Sequence, residues 1–327
     1  MNKRAIIAIG TLMCCLSMVF GGNESMAKQK TFEKKEIIMT PSDTMHCMYE
    51  NEGKVQYAVD EYNGIVVNTI KDDSAEKEYK ASRENHNIIF ENVVVSDNTA
   101  ISVDIKQKKY IKIEEYNKKG KKIFSFKDKP QTKKKSQWSV KEVWKQNNKI
   151  YYVVSESNTA NLKKETLHIR CLDKKNKKII SDNAFKVERH SNIKHEDGKI
   201  YVLTDKNVDM YSNTGKKLNS YRLPEGERNY DNVGDVQRNY LEFHEYDVCG
   251  KYIYYCNANG IFRCDAKKSN NFELYYDAKD DEFFGKEYGV VDMCFADNNT
   301  FYIMLNHCND FEACMYVTAS KIIEYSK

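Results

Sequence analysis

A two-residue polar turn followed at once by an apolar, aromatic-rich strand occurs six times, and this repeat constrains the fold more than any other feature of the chain. The turns are Glu52-Gly53 before KVQYAV, Asp97-Asn98 before TAISVDI, Asn147-Asn148 before KIYYVV, Asp197-Gly198 before KIYVLT, Cys249-Gly250 before KYIYYC and Asn298-Asn299 before TFYIML. The residues that follow them, 54, 99, 149, 199, 251 and 300, are 45, 50, 50, 52 and 49 positions apart. Pairs such as Asp-Gly and Asn-Asn tolerate the positive φ of tight turns whose twist matches that of paired strands, so each site predicts a hairpin bend.

Another strand candidate precedes most bends: MHCMYE, NVVVS, KEVWK, EFHEYDV and VDMCFA. Downstream comes a third strand, then a lysine-rich turn and a fourth strand, as in EEYNKKGKKIFSF at 114–126, CLDKKNKKII at 171–180, MYSNTGKKLNSY at 210–221 and CDAKKSNNFELYY at 264–276. Each unit therefore reads as a four-stranded antiparallel meander. Such a sheet cannot cover both of its apolar faces alone, and its 50-odd residues must stack radially or side by side with the next unit. The 23 tyrosines of the chain suit sheet-on-sheet packing.

The stretch DGKIYVLTDKNVDMYSNTGKKL, residues 197–218, resembles the recurring hairpins of secreted or periplasmic six-bladed β-propellers of the TolB-like and NHL-like kinds. The resemblance covers roughly residues 41–327 and implies an all-β fold, a six-bladed β-propeller of four-stranded antiparallel blades. It selects no functional family: the Asp box of sialidases, the Tyr-Trp-Thr-Asp repeat of receptor propellers and the Trp-Asp dipeptide of WD repeats are absent. TFEKKEIIM, within residues 28–40, is a candidate closing strand, and SKIIEYS at 320–326 reads as an outer strand of the last repeat.

Residues 1–27 read as a signal peptide. Lys3 and Arg4 precede the apolar run AIIAIGTLMCCLSMVF, and Ser25-Met26-Ala27 has the small-residue character of a cleavage site, so the exported chain is expected to begin at Lys28. A transmembrane anchor would need a longer apolar run. Leu12-Met13-Cys14-Cys15 loosely resembles a lipobox, which keeps lipid anchoring at the cell envelope as an alternative to release. The whole chain carries a net charge of only +4. That balance gives no case for nucleic-acid binding.

Export is permissive for disulfides, and the cysteines beyond the leader are an even set: Cys47, Cys171, Cys249, Cys256, Cys264, Cys294, Cys308 and Cys314. Disulfide bonds are therefore expected, with Cys308 and Cys314 straddling a hairpin mouth. Zinc-ribbon spacings are absent, and no motif calls for a cofactor.

Candidate binding residues come from loops. The connection PEGERNYDNVGDVQRNY at 224–240 brings Arg228, Tyr230, Asp231, Asp235, Arg238 and Tyr240, charge and flat stacking surface suited to a sugar or peptide. SESNTANLKKET at 155–166 and NHCNDFEA at 306–313 read as long turns between second and third strands, where binding residues tend to accumulate. His190 and His195 suggest a metal or proton-transfer pair, but no third ligand or nucleophile accompanies them; among Asp280, Asp281 and Glu282 a carboxylate pair could serve a glycosidase only if the fold set two of them about 5 Å or about 6.5–9.5 Å apart around a sugar. Lysines at the third-to-fourth-strand turns should crowd one face of the ring and form a basic rim able to attract an anionic cell-surface polymer or lipid headgroups; lysines at turns also simply discourage edge pairing.

These features favour a monomeric, noncatalytic secreted protein that recognises a protein, peptide or glycan through one face of the ring. The competing reading is a carbohydrate-active hydrolase or lyase with its site at the ring centre, which requires ionisable groups from several blades to converge there with perturbed pKa values.

Overall fold

The computed structural model describes residues 32–40, 45–51, 53–61, 64–71, 74–82, 92–96, 99–106, 110–129, 136–158, 161–188, 190–224, 245–257, 259–281, 288–308 and 317–327, with some strand-end side chains left out. Every regular element among them is a β-strand, and the strands form six antiparallel four-stranded sheets. The first strand in the chain, β1 (Glu33–Thr40), belongs to the last blade. Blade 1 is β2 (Met45–Asn51), β3 (Lys54–Glu61), β4 (Gly64–Lys71) and β5 (Ser74–Ser82). Blade 2 is β6 (Asn92–Ser96), β7 (Thr99–Lys106), β8 (Tyr110–Asn117) and β9 (Lys122–Asp128). Blade 3 is β10 (Ser136–Gln146), β11 (Lys149–Asn158), β12 (Asn161–Asp173) and β13 (Lys178–Glu188). Blade 4 is β14 (His190–Glu196), β15 (Lys199–Thr204), β16 (Asn207–Ser212) and β17 (Lys217–Arg222). Blade 5 is β18 (Glu245–Cys249), β19 (Tyr252–Asn257), β20 (Gly260–Asp265) and β21 (Glu273–Asp277). Blade 6 is β22 (Tyr288–Phe295), β23 (Thr300–Cys308) and β24 (Val317–Ser326), with β1 as its fourth strand.

The ring is a six-bladed β-propeller. The first strands of the blades, β2, β6, β10, β14, β18 and β22, meet one another at the centre. The turn at Asp197-Gly198 shows why the repeat is legible: both residues have positive φ, 48° and 71°, as a two-residue turn with right-handed twist requires. First-to-second and third-to-fourth-strand turns emerge together on one face, here the turn face; blade-to-blade connections and second-to-third-strand turns emerge on the other, the loop face.

The core is divided among the blade interfaces. Ile101, Ile113, Tyr152 and Val154 pack between blades 2 and 3, Val153, Leu167, Ile200 and Val202 between blades 3 and 4, and Tyr201, Tyr221, Tyr246 and Tyr255 between blades 4 and 5. Blades 5 and 6 meet through Tyr254, Phe295, Phe301 and Tyr325, and blades 6 and 1 through Met48, Tyr57, Met304 and Ile322. Rings stack where the interface is most aromatic: Tyr254 lies 3.5 Å from Phe295 and Phe301 4.7 Å from Tyr325, centroid to centroid.

Closure joins the two ends of the propeller. β1 pairs with β24 from Glu33–Ser326 to Thr40–Ser320, so β24 is the third strand of blade 6 and the N-terminal strand supplies the outer one. Asp281 locks this joint: it is buried and accepts hydrogen bonds from the hydroxyls of Tyr276 and Tyr325, the latter at 3.1 Å, while Lys34 lies 3.4 Å away.

Three expectations need correction. SKIIEYS at 320–326, expected as the outer strand of the last repeat, lies in the third strand of blade 6, because β1 pairs along its free edge. The segment 155–166 is not a long turn: β11 and β12 continue through it, with Ser155 opposite Leu167 and Asn158 opposite Asn161, so that only 159–160 separate the strands. The expected disulfides are also overturned. Cys47, Cys171, Cys249, Cys256, Cys264 and Cys294 are all free thiols. Alternation along the strands explains this, because it sends neighbouring cysteines into different interfaces: Cys256 packs toward blade 6 and Cys264 toward blade 4, on opposite faces of blade 5. Cys314 and the side chain of Cys308 lie outside the described residues.

Candidate functional site at the ring centre

The functional groups that converge do so on the innermost strands, at positions set by the hairpin register. Strand pairing makes Asn51, Gln146, Glu196 and Cys249 the last residues before the first turn of their blades. Two residues earlier stand Tyr49, Trp144, Lys194 and Asp247, and four residues earlier Cys47, Glu142, Asn192 and Glu245. Blade 6 has a longer turn, and Cys294 and Asp292 occupy the matching levels. Side chains of this parity reach across the inner edge to the following blade.

Those reaches staple consecutive blades. The Asn192 amide donates to Glu245 at 2.8 Å, joining blades 4 and 5. Asp247 accepts the backbone N–H of Phe295 at 2.7 Å, joining blades 5 and 6. Asp292 accepts the N–H of Met48 at 2.6 Å, joining blades 6 and 1. Lys194 sits among them, its Nζ 3.3 Å from Asp292, 3.5 Å from Asp247 and 3.4 Å from the Met293 carbonyl oxygen. Between blades 3 and 4 the polar staple is replaced by a ring pair, Trp144 stacked on His195 at 3.9 Å.

The electrostatics follow from putting one cation and several acids in a poorly hydrated hub. Burial works against the charge of Lys194, but Asp292 and Asp247 hold its pKa well above the ordinary lysine value. Burial pushes the Glu142 carboxyl up to about 7, with Lys194 pulling the other way. Glu245, buried beside the charge of Asp292, is pushed up to about 8. Glu196, near the turn face, is raised to about 7 by burial and by Asp197 and Asp247. The thiols are poor nucleophiles, since burial raises Cys47 to about 12 and carries Cys294 well above its ordinary value.

This placement answers each candidate from the sequence. His195 is held neutral, its pKa lowered to about 4 by burial. The side chain of His190 lies outside the described residues, and among those residues no cluster of histidine, cysteine and carboxylate ligands could hold a metal ion. Asp281 is committed to ring closure, Asp280 is exposed, and Glu282 lies outside the described residues. Arg228, Tyr230, Asp231, Asp235, Arg238 and Tyr240 all lie outside the described residues.

A second ionic group straps blade 2 to blade 3. Arg170 reaches Asp128 at 2.8 Å and also pairs with Asp182, while the Tyr152 hydroxyl donates to Asp128 at 2.6 Å. His168 lies between Asp182 at 3.1 Å and Glu156 at 3.4 Å. Here too the charges join blades or strands.

The sequence reading missed Glu142, Lys194, Glu245, Asp247 and Asp292. A usable signal was present: ionisable residues inside apolar strands, repeatedly two and four residues before the turn.

The fold and this charged hub define the protein as a six-bladed propeller of a general kind. No protein-family profile and no curated protein matches the chain. Similar solved structures are varied propellers. The α-L-arabinofuranosidase Arb93A from Fusarium graminearum, solved with an iminosugar inhibitor, is 11% identical, with a TM-score of 0.48 over 90% of this chain and 98% of that one. The Pan2 WD40 domain of Neurospora crassa is 9% identical, with a TM-score of 0.47 over 90% and 95%. AztD of Citrobacter koseri is 12% identical, with a TM-score of 0.40 over 71% and 72%.

Proposed function

We propose that the protein is an exported, noncatalytic binding propeller that recognises a protein, peptide or glycan through its loop face. The observation that carries this reading is the internal commitment of the hub. Lys194 is shared as counter-ion between Asp247 and Asp292, and both carboxylates also accept backbone N–H groups of the following blade. Glu245 is held by Asn192, and Glu142 accepts the N–H of Val143 at 3.0 Å. Groups used in this way fix the blades to one another, which leaves recognition to loops carried on a rigid ring.

The residues placed in that role are Arg228, Tyr230, Asp231, Asp235, Arg238 and Tyr240 of the connection between blades 4 and 5. A glycan and peptide array probed with the chain from Lys28 tests the reading. Saturable binding that weakens in Tyr230→Ala or Arg238→Ala, without turnover, is the expected result. The carbohydrate-active alternative draws on one observation, that Glu142 and Glu245 are raised to about 7 and about 8 and so resemble the general acid of a glycosidase. Turnover of a glycoside that is lost in Glu142→Gln or Glu245→Gln would replace the binding proposal with that one.

A further inference from the structure

Four large aliphatic side chains stand out in solvent among the described residues: Ile123 at 52% exposure, Ile180 at 42%, Leu218 at 45% and Leu274 at 54%. All four are on outer strands, in the first three residues after the third-to-fourth-strand turn, in the four consecutive blades 2 to 5. In three of them the register is more telling still. Lys122 pairs with Tyr116 and Phe124 with Glu115, so Ile123 is the extra residue of a β-bulge. Ile180 is skipped in the same way between Ile179 and Ser181, and Leu218 between Lys217 and Asn219. In blade 5 the skipped residue is Tyr275, next to Leu274.

A bulge at a sheet edge re-aims one side chain and blocks edge-to-edge pairing, a purpose served best by a polar residue. An aliphatic residue at the same place in three successive blades works against it. The flanking turns, 118–121, 174–177, 213–216 and 266–272, carry the lysine clusters on the same face, and Lys119, Lys121, Lys175, Lys177, Lys216 and Lys268 are exposed there. Part of this charge is matched within the blades, as Lys122 pairs with Glu114 at 2.9 Å and Lys217 with Asp209 at 2.7 Å.

We propose that the rim of the turn face over blades 2 to 5 docks on an anionic lipid bilayer, with the turn lysines at the headgroups and Ile123, Ile180, Leu218 and Leu274 entering the interfacial layer. Cations alone would suit any polyanion. The aliphatic residues select the bilayer, because a soluble phosphate or carboxylate polymer offers no apolar phase to receive them, whereas a membrane interface receives both groups together. A second copy of this chain fits the rim poorly, since two lysine-rich rims repel. The inference concerns the face opposite to the one proposed for recognition, and the two stand or fall separately.

The test uses residues 28–327, which include every strand of the closed ring. The probe is cosedimentation with vesicles of phosphatidylcholine alone or with about 30 mol % phosphatidylglycerol, in about 0.1 M salt. Binding is expected only to the anionic vesicles. It should fall about tenfold or more in the triple variant Ile123→Ser, Ile180→Ser, Leu218→Ser, and as much in Lys119→Gln, Lys175→Gln, Lys177→Gln, with unchanged melting curves in both. Absence of binding to the anionic vesicles overturns the proposal. So does a serine variant that binds as well as its parent while poly(glycerol phosphate) in solution competes, which assigns the rim to a polymer. A dimer dissolved by the serine substitutions would assign it to self-association and overturn the proposal equally.

Discussion

Replacing Glu142 with glutamine should stabilise the propeller, and by an amount that grows with pH. Burial raises this carboxyl from an ordinary 4.5 to about 7 in the folded chain. Below pH 4.5 the group is protonated in both folded and unfolded chains and contributes nothing to the pH dependence. Between the two values the unfolded chain releases its proton and the folded chain keeps it, so folding loses up to about 1.4 kcal/mol per pH unit. Above pH 7 both states are ionised and the penalty levels off at about 3 kcal/mol, the product of that slope and the shift. Glutamine has no proton to release and keeps an oxygen that can accept the Val143 N–H. Burial and Asp292, rather than Glu142, raise Glu245, so the substitution isolates one group. Urea unfolding followed by the fluorescence of the neighbouring Trp144 should show the variant more stable than the parent by about 1 kcal/mol at pH 5 and about 3 kcal/mol at pH 8. An equal difference at both pH values would mean that Glu142 is not held as the neutral acid, and the electrostatic account of the hub would fail with it.

Lys194→Met should have the opposite sign, costing about 3–5 kcal/mol because Asp247 and Asp292 are left buried without their cation, and the loss should shrink on acidification; thermal melts at pH 5 and pH 8 measure both. Asp281→Ala should weaken ring closure by about 2–4 kcal/mol, as it removes the carboxylate that accepts from the Tyr276 and Tyr325 hydroxyls and lies beside Lys34, whereas Tyr325→Phe should cost only about 1 kcal/mol; hydrogen exchange of β1 and β24 should report the change ahead of the other blades. Gly260→Ala should cost about 3 kcal/mol or more, since φ is +135° and a Cβ would lie 2.0 Å from the Tyr276 carbonyl oxygen; urea midpoints decide it.

The ring was legible because its information is local and repeated. Asp197-Gly198 and its counterparts dictate turn geometry through backbone sterics, and an apolar strand beside each turn fixes the period that six blades divide. The reading failed where local chemistry was ambiguous. Asn158, Thr159 and Asn161 look like turn residues, yet the polar residues around them alternate with Val154 and Leu167 along two long paired strands, and strand pairing overrides the polar composition. The even cysteine set misled for a related reason: counting thiols ignores strand parity, which places Cys256 and Cys264 on opposite faces of one blade.

The hub shows the harder limit. Glu142, Lys194, Asp247 and Asp292 come from four blades and up to 150 positions apart in the chain, and nothing local to any of them names its partner. Only their offsets of two or four residues from the turns carried the signal, and an offset becomes a contact only after the blades have packed. Closure in turn rests on β1 reaching β24, the most distant strand pairing among the described residues. The charges at the centre are therefore best understood as a check on assembly. A displaced blade 4, 5 or 6 would part Lys194 from Asp247 or Asp292, and a ring open between blades 6 and 1 would part Asp292 from the Met48 N–H. A hub with that duty spends its groups on one another and on backbone N–H groups of the next blade. The surfaces free to vary are then the loop face and the lysine-rich rim, where the binding proposals place their partners.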